Sequence, residues 1–158
     1  MSKIALLLAA YNSYKFLKTQ IDSILNQGDV QVDLFISDDI STYQILKIIH
    51  YFCDKHKNVR YIKHLSVGGL AKNFYLLINQ IDTKKFNYIS LVDQDNVWPD
   101  YKLSRAIEQL QQKKAHAYSS DIIAADEKEK FLKIIKRSQP QKNWIIFLKH
   151  WARGAVFS

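Results

Sequence analysis

Two aspartates follow a short apolar run, and their spacing suggests chemistry more strongly than any other feature of this chain. Residues 88–92 have the composition of a buried strand, and Asp93 and Asp95 come directly after them. Side chains two positions apart on an extended chain point the same way, so these carboxylates repel each other unless a cation joins them. One or two carboxylates plus substrate phosphates are the usual ligands of Mg²⁺. The pair therefore suggests a divalent cation held against a phosphate-bearing ligand.

Other polar residues follow two further apolar runs. Asp38 and Asp39 come after residues 32–37, and Tyr11 and Asn12 come shortly after residues 3–9. Each group also has an ordinary explanation, because an Asp-x-Asp pair is often a solvated loop and an Asp-Asp or Asn often caps the next helix. Their joint placement at the ends of separate predicted strands favours a binding site over these separate explanations.

The order of the predicted elements explains why those strand ends would meet. Strands are predicted at residues 3–9, 32–37, 59–62 and 88–92, and apolar residues at helical spacing fall between them. Strand–helix alternation indicates parallel strands joined by right-handed crossovers. The expected fold class is therefore α/β, a mostly parallel Rossmann-like sheet flanked by helices. Ligands of such sheets bind beyond the carboxyl ends of the strands.

Local signals predict where the helices begin and end. Gly28 is the predicted stop of the first helix, and Ser41-Thr42-Tyr43-Gln44 has the form of a capping box for the second. Gly68-Gly69 turns the chain into the third helix, and Pro99 marks the start of the fourth. Three further elements are predicted downstream: a strand within residues 116–125, a helix with one face made of Trp144, Phe147, Leu148 and Trp151, and a strand at residues 155–157.

Composition limits the class of protein. The chain has 158 residues, a formal charge of +8 and one cysteine, Cys53, so it fits one domain without an internal disulfide, in a reducing compartment. No secretory signal and no apolar stretch of membrane-spanning length is present in the sequence. The charge favours polyanionic partners, although a basic surface that only keeps the protein soluble is the simpler explanation. Dinucleotide, P-loop and zinc-ligand patterns are absent, and no nucleic-acid-binding module is recognised, so nucleic acid is not expected as a partner.

Four stretches of sequence, in the same order, resemble family-2 glycosyltransferases of the GT-A fold. They are LLLAAYNSYKFLKTQIDSILNQ, LFISDDIST, GGLAKNF and YISLVDQDNVWPDYKL, and the resemblance covers residues 4–103. It is closest to rhamnosyltransferase-like enzymes of bacterial polysaccharide assembly, and it continues more loosely through AYSSDIIAAD and RGAVFS. It implies one glycosyltransferase domain over residues 1–158, with a nucleotide-sugar-binding part at 1–103 and the start of an acceptor-side part at 104–158.

The resemblance implies a reaction and a donor site. A sugar, with rhamnose as one candidate, would pass from a UDP- or dTDP-linked donor to a glycan or lipid-linked acceptor in cell-surface polysaccharide synthesis. The cofactor would be Mg²⁺ or Mn²⁺, which neutralises the charge that develops on the departing diphosphate. The residues carried over to the nucleotide site by position are Ala10, Tyr11, Asn12, Asp38, Asp39, Lys72, Asn73 and Asp93.

Individual roles follow from the same resemblance. Tyr11 would lie beside the base, and Asp39 would accept a hydrogen bond from a uracil or thymine ring. Asp93 would approach the ribose or the metal, and Asp95 would be the principal metal ligand.

The sequence departs from the family pattern, above all on the acceptor side. An inverting transfer needs a general base, which in the family is an acid downstream of the position matching Gly154, and the sequence ends at Ser158. The catalytic base is therefore unknown, and Asp121 is a candidate for contact with the acceptor rather than for the base. Ile40 and Asn96 stand where relatives commonly carry Gly and Asp. The alternative function is a truncated, inactive nucleotide-binding remnant, or a subunit that needs a partner chain.

The aromatic helix predicted near the end of the chain bears on location. Lys142, Lys149 and Arg153 surround it, which suits contact with an anionic membrane, where lipid-linked acceptors reside. A core helix with basic flanks is the commoner arrangement of such residues. The strand at residues 155–157 is expected to lack its sheet neighbours. The expected location is the cytoplasm, and peripheral contact with the inner face of the cell membrane is a further expectation.

Overall fold

Strands and helices alternate through most of the chain, as the sequence predicts. The computed structural model describes residues 1–11, 14–39, 42–64, 68–93, 96–125, 131–135 and 156–157. Its elements are β1 (Ser2–Ala10), α1 (Tyr14–Leu25), β2 (Val30–Asp38), α2 (Tyr43–Lys55), β3 (Val59–Lys63), α3 (Leu70–Gln80), a short 3-10 helix (Thr83–Lys85), β4 (Tyr88–Val92), α4 (Lys102–Lys113), β5 (Ala117–Tyr118), β6 (Ile122–Ala125), β7 (Phe131–Ile135) and β8 (Val156–Phe157).

The main sheet has six strands in the order β3-β2-β1-β4-β8-β5. The first four are parallel, which confirms the predicted fold class, and β8 is antiparallel to both of its neighbours. The expectation that the strand at residues 155–157 lacks neighbours is wrong, because β8 pairs with β4 and β5. The strand predicted within residues 116–125 is divided between two sheets, since β5 joins the main sheet and β6 pairs with β7.

Both faces of β1 are buried, which explains its uninterrupted apolar sequence. Its even-numbered residues, from Ile4 to Ala10, share one core with the apolar faces of α1, α2 and α4. Its odd-numbered residues Ala5, Leu7 and Ala9 share a second core with Phe74 and Leu77 of α3. The sheet is therefore a central layer with α3 on one face and α1, α2 and α4 on the opposite face.

Three predicted boundaries shift by a few residues. After α1 the left-handed backbone falls on Asp29 (φ 59°) rather than on Gly28. The N-cap of α2 is Thr42, one residue later than the predicted capping box places it, and Thr42 makes no side-chain cap hydrogen bond. α4 begins at Lys102, after a turn in which the Lys102 N–H donates to the Pro99 carbonyl at 3.0 Å. Proline's fixed φ suits that turn as well as it suits a first helical position.

The aromatic helix predicted around Trp144 to Trp151 lies outside the described residues, so its contact with a membrane or a core stays a prediction. Within the part of the chain that the structure describes, none of the helices combines the length and the hydropathy that crossing a bilayer requires.

Candidate functional site at the carboxyl edge of the sheet

Three neighbouring parallel strands deliver polar residues to one edge of the sheet. Ala10 at the end of β1 pairs with Asp38 at the end of β2, and Leu8 of β1 pairs with Val92 at the end of β4. Asp38 and Asp93 therefore flank the end of β1. Two strand spacings put them roughly 10 Å apart. The chain order reverses between β1 and β4, and such a switch point is where open α/β sheets bind ligands.

Asp38 and Asp39 turn to opposite faces of the sheet. Asp38 continues the even-numbered side of β2, which packs on α1 and α2, and it is only 3% exposed. Asp39 is half-buried, and its Oδ2 accepts a hydrogen bond from the Gly69 N–H at 3.3 Å, which places it on the α3 face. Its own N–H donates to the Ala10 carbonyl at 3.2 Å. Of the two acids, Asp39 is therefore the one presented at the edge.

Two glycines shape the entry to α3 beside Asp39. Gly68 has φ 70° and Gly69, the N-cap of α3, has φ 125°, a backbone conformation that side-chain-bearing residues rarely adopt. This turn aims the Gly69 N–H at the Asp39 carboxylate. The exposed Lys72 folds back over the same turn, with its Nζ 3.9 Å from the point where a side chain at position 68 would begin. The Asp39 carboxylate and the Lys72 ammonium thus both lie beside the Gly68-Gly69 turn, near the end of β2.

The other residues predicted for the nucleotide site differ in how far their side chains are exposed. Tyr11 is 57% exposed beyond the end of β1, whereas Ala10 is buried and contributes backbone. Asn73 is 1% exposed, and its Oδ1 accepts a hydrogen bond from the Ser37 hydroxyl, so the contact that the structure shows for it joins α3 to β2. Asn12 lies outside the described residues, and its place in the base pocket stays a prediction.

The pKa values of Tyr61 and Cys53, near Asp38, reflect the burial of these side chains. Burial and, second, the negative charge of Asp38 raise the pKa of Tyr61 above its ordinary value. Burial also raises the pKa of Cys53, whose sulfur lies against the Tyr61 backbone N–H. Both shifts belong to the α2 face of the sheet, on the side of β2 away from Asp39.

The end of β4 offers chemistry that fits a hard divalent cation. Asp93 is half-buried and follows Val92 at the edge, where its carboxylate oxygens suit Mg²⁺ or Mn²⁺. Among the described residues, His, Cys, Asp and Glu side chains form no group of three or more that could cage a metal. A cation shared with substrate phosphates needs only one or two carboxylates. Asp95, the predicted principal ligand, lies outside the described residues.

Asp121 lies on the same edge but farther along it. β5 runs parallel to β4 because both are antiparallel to β8, so the chain leaves β5 at the carboxyl edge. The neighbouring Ser120 hydroxyl accepts a hydrogen bond from Lys102 Nζ at 3.1 Å, which ties this loop to the start of α4. With β8 between them, β5 lies roughly 10 Å beyond β4. Asp121 is exposed there, on the far side of β4 from Asp39.

A set of polar residues in α1 and just beyond it holds the chain that follows the acids, and the sequence reasoning did not identify it. The Trp98 N–H donates to the Ser23 hydroxyl at 3.1 Å, and Gln27 Nε2 donates to the Pro99 carbonyl at 2.8 Å. Gln27 Oε1 accepts from the Leu103 N–H at 3.0 Å. The available signal was the presence of polar residues three and four apart on the buried side of an otherwise apolar helix.

A groove of about 490 Å³ lies away from the carboxylate edge, among residues of the amino ends of the strands and the end of α3. Lys3 pairs with Asp33 there at 3.3 Å and lies over the Phe86 ring, while the Arg60 guanidinium lies over Phe35. Its cations and acids already contact partners within the chain. We therefore place the candidate site at the carboxyl edge, where the strand-end residues converge.

Relatives in sequence have named transferase activities. RfbG, a dTDP-rhamnosyl transferase of Shigella flexneri, is 38% identical over 119 residues, which are 74% of this chain and 41% of the relative. WfaP of Escherichia coli, a UDP-Glc:alpha-D-GlcNAc-diphosphoundecaprenol beta-1,3-glucosyltransferase, is 28% identical over 153 residues, 95% of this chain and 57% of the relative. The chain thus spans only part of the length of both relatives.

Solved structures share the fold. S. aureus TarS residues 1–349 in complex with UDP-GlcNAc superposes with a TM-score of 0.72 at 18% identity, covering 98% of this chain and 45% of TarS. The mannosyltransferase PcManGT from Pyrobaculum calidifontis, solved with GDP-Man and Mn²⁺, gives 0.70 at 14% identity, covering 98% and 44%. The sequence profile of Glycosyl transferase family 2 matches residues 6–155. With the profile covering most of its length, the chain belongs to glycosyl transferase family 2.

Proposed function

We propose that this chain binds a nucleoside-diphosphate sugar along the carboxyl edge of its sheet and transfers the sugar to a hydroxyl of a glycan or lipid-linked acceptor. The observation that carries the proposal is the convergence of Tyr11, Asp39 and Asp93 at one edge, around the switch point between β1 and β4. Family membership supplies the reaction class. We divide the domain into a donor part, residues 1–103, and the start of an acceptor part, residues 104–158.

The donor contacts follow the order of the strands. The exposed Tyr11 ring stacks on the base, and Asp39 accepts a hydrogen bond from the imide N–H of uracil or thymine. The Gly69 N–H keeps the Asp39 carboxylate in place, and Lys72 supplies positive charge beside it. Asp93, on the far side of β1, meets the ribose of the donor or the metal. Asn12 completes the base pocket in this proposal.

A divalent cation, Mg²⁺ or Mn²⁺, supplies charge neutralisation for the departing diphosphate when it is bound. We assign its protein ligands to Asp95 and Asp93, and two of the solved relatives in fold contain Mn²⁺. These acids would act on the diphosphate only through that cation, because a bare carboxylate repels a phosphate. The acceptor oxygen forms a bond to the anomeric carbon, the bond from that carbon to the diphosphate breaks, and the acceptor proton passes to a base.

Fewer observations support the acceptor side of the site. Asp121 is exposed on the correct edge beyond β5, and we propose that it contacts the acceptor or the sugar rather than taking the proton. Rhamnose from a dTDP-linked donor is the first candidate sugar, because RfbG is the relative at 38% identity. We place the reaction in the cytoplasm, at the inner face of the cell membrane. WfaP, named for a diphosphoundecaprenol-linked acceptor, supports that placement.

Calorimetric titration of the chain with UDP, dTDP and ADP, with and without Mn²⁺, tests the proposal. We expect Mn²⁺-dependent binding of the two pyrimidine nucleotides. Asp39→Ala should weaken UDP by roughly tenfold to a hundredfold, the contribution of one hydrogen bond to a charged group, and change ADP little. Asp95→Ala should abolish the dependence on Mn²⁺.

The control is Asp82→Ala, which removes an exposed acid paired with Lys85, beside the groove rather than the carboxyl edge, and should leave every affinity unchanged. No binding of UDP or dTDP in the presence of Mn²⁺ would refute the proposal. Binding without sugar transfer to any acceptor would instead favour the alternative, a nucleotide-binding domain that needs a partner chain.

A further inference from the structure

Exposed aromatic side chains gather where α1 and α2 begin. Tyr14 and Phe16, in the first turn of α1, are 57% and 42% exposed. Tyr43, the first residue of α2, is 71% exposed. Single apolar side chains on a surface need no explanation, but several that lie together mark an interaction surface.

The two helices bring these rings to the same side of the molecule. α1 and α2 pack on one core and contact each other. α1 follows β1 and α2 follows β2, and the last residues of these strands, Ala10 and Asp38, are paired. Both helices therefore start at the carboxyl edge of the sheet. Packed helices lie roughly 8–10 Å apart, so the exposed rings at their starts are neighbours.

Lysines accompany the rings on both helices. Lys18 and Lys47 are exposed, and each comes four residues after an exposed tyrosine, on the same helix face. Lys47 Nζ lies 4.8 Å from the centroid of the Tyr43 ring. We call this set the rim surface, which consists of Tyr14, Phe16, Lys18, Tyr43 and Lys47.

Acidic residues are missing from this part of both helices. Neither helix has an acid in its first turn, and residues 14–21 and 43–53 contain three lysines and no acid. Acids are favoured near helix starts, so helix stability does not explain lysines there. Asp22 and Asp54 lie farther along the helices, and Asp38 on the same face of the sheet is buried. The exposed part of this layer nearest the carboxyl edge therefore carries positive charge.

We propose that the rim surface docks on an anionic lipid bilayer, with its rings at the level of the headgroups and its lysines beside lipid phosphates. Tyrosine suits that level because its ring is apolar and its hydroxyl is polar. Lysines add an attraction to anionic lipid that salt screens. A bilayer needs no groove, whereas single-stranded nucleic acid typically binds along one. The groove of about 490 Å³ lies at the amino ends of the strands instead.

Docking through the rim surface turns the carboxyl edge, with Asp39 and Asp93, toward the membrane. A lipid-linked acceptor then reaches that edge without leaving the bilayer. The choice of acceptor rests on the proposed function, but the binding of lipid does not.

Co-sedimentation of the whole chain with vesicles at low salt tests the docking. The vesicles contain equal parts of phosphatidylcholine and phosphatidylglycerol, and vesicles of phosphatidylcholine alone are the neutral reference. We expect binding to the anionic vesicles that weakens as salt is added. Lys18→Gln combined with Lys47→Gln should weaken this binding by about 25-fold, roughly fivefold for each lysine. Unchanged affinity in this double variant would overturn the proposal.

Lys113→Gln combined with Lys114→Gln is the matched control for charge. Both lysines are exposed at the end of α4, where Gln111 Nε2 donates to the hydroxyl of Tyr88 at the start of β4. The control therefore loses the same net charge away from the carboxyl edge, and its affinity for the vesicles should change by less than about twofold. An equal loss in both double variants would show that overall charge binds the lipid, which would overturn the proposal.

Tyr14→Gln combined with Tyr43→Gln tests the rings without a change of charge. It should weaken binding to the anionic vesicles by roughly fivefold, because two interfacial rings are lost. Both positions are exposed, so the melting temperature should stay close to that of the unaltered chain. Vesicle affinity equal to that of the unaltered chain would contradict docking through the rim surface.

Other partners give different results. If replacing Lys142, Lys149 and Arg153 by glutamine abolishes vesicle binding and the Lys18 and Lys47 variant keeps it, another segment contacts the lipid and the proposal is wrong. It is also wrong if random single-stranded oligonucleotide binds more tightly than the vesicles and the same two lysines carry that binding. Titration with UDP separates the two proposals. Vesicle binding without nucleotide binding refutes the proposed function alone, and nucleotide binding without vesicle binding refutes the docking alone.

Discussion

Replacing Trp98 by alanine tests whether the segment after the acids is part of the core. The indole is 3% exposed and belongs to the core shared by α1, α2 and α4. Truncating a buried aromatic side chain to alanine costs about 3–5 kcal/mol. Lys102 Nζ lies 5.0 Å from the ring centroid, and loss of that contact adds about 0.5–1 kcal/mol. The Trp98 backbone N–H keeps its hydrogen bond to Ser23, so the loss is one of packing.

The assay is urea unfolding followed by far-ultraviolet circular dichroism, because the substitution removes a tryptophan that fluorescence would report. With a slope of about 2 kcal/mol per molar urea, a loss of about 4 kcal/mol lowers the midpoint by about 2 M. Total stabilities of about 5–15 kcal/mol allow such a variant to fold in the absence of urea.

Tyr101→Ala is the control for the same segment. Its side chain is 60% exposed, and exposed substitutions away from special features change stability by less than about 0.5 kcal/mol. A midpoint shift below about 0.25 M for Trp98→Ala, no larger than the shift of the control, would refute the placement of Trp98 in the core.

Two further predictions concern pH and the end of α4. The raised pKa of Tyr61 means that the folded state holds this proton more tightly than the unfolded state, so stability should fall as pH rises above the ordinary value of 10.0. Tyr61→Phe should remove part of that fall in urea midpoints, and Tyr51→Phe, on an exposed ring, should not. Lys114 has φ 49°, which costs a side-chain-bearing residue about 1–2 kcal/mol, more than the extra entropy that glycine loses, about 0.5–1 kcal/mol. Lys114→Gly should therefore raise the melting temperature, whereas Lys113→Gly, inside the helix, should lower it.

The parallel part of the sheet was predictable because burial on both faces leaves an unambiguous trace in sequence. β1 and β4 are short apolar runs, and the intervening segments carry apolar residues at helical spacing. The helix starts were less predictable. Thr42 and Ser41 are both residue types favoured at an N-cap, so the sequence does not choose between them.

The far side of the sheet could not be derived from local pattern. β5 and β8 have two residues each, and β8 enters between β4 and β5 from a distant part of the chain. A two-residue strand has no period that a sequence reading can detect. Its place depends on which edge of β4 remains open, which is a property of the assembled sheet.

The same difference between local pattern and long-range contact applies to the candidate site, whose acids were predictable and whose supporting polar residues were not. Asp39 and Asp93 were predictable as edge residues, because each ends an apolar run and parallel strands share one carboxyl edge. Ser23 and Gln27 were not, because polar residues on a buried helix face acquire meaning only from partners 72 to 76 positions away. Asn73, assigned to the nucleotide by resemblance, likewise meets Ser37 across 36 positions.

These long-range contacts also tie the chain from Trp98 onward to the other side of the switch point. β1 and β4 flank the switch point, and α1 is the helix that connects the end of β1 back to the start of β2. By holding Trp98, Pro99 and Leu103, α1 ties the chain leaving β4 to the element that follows β1. The pairing of β1 with β4 fixes the two strand ends, where Tyr11 and Asp93 lie, and α1 holds the chain from Trp98 onward. The proposed donor, which would span both strand ends, would meet Tyr11 and Asp93 on elements that are fixed relative to each other before it binds.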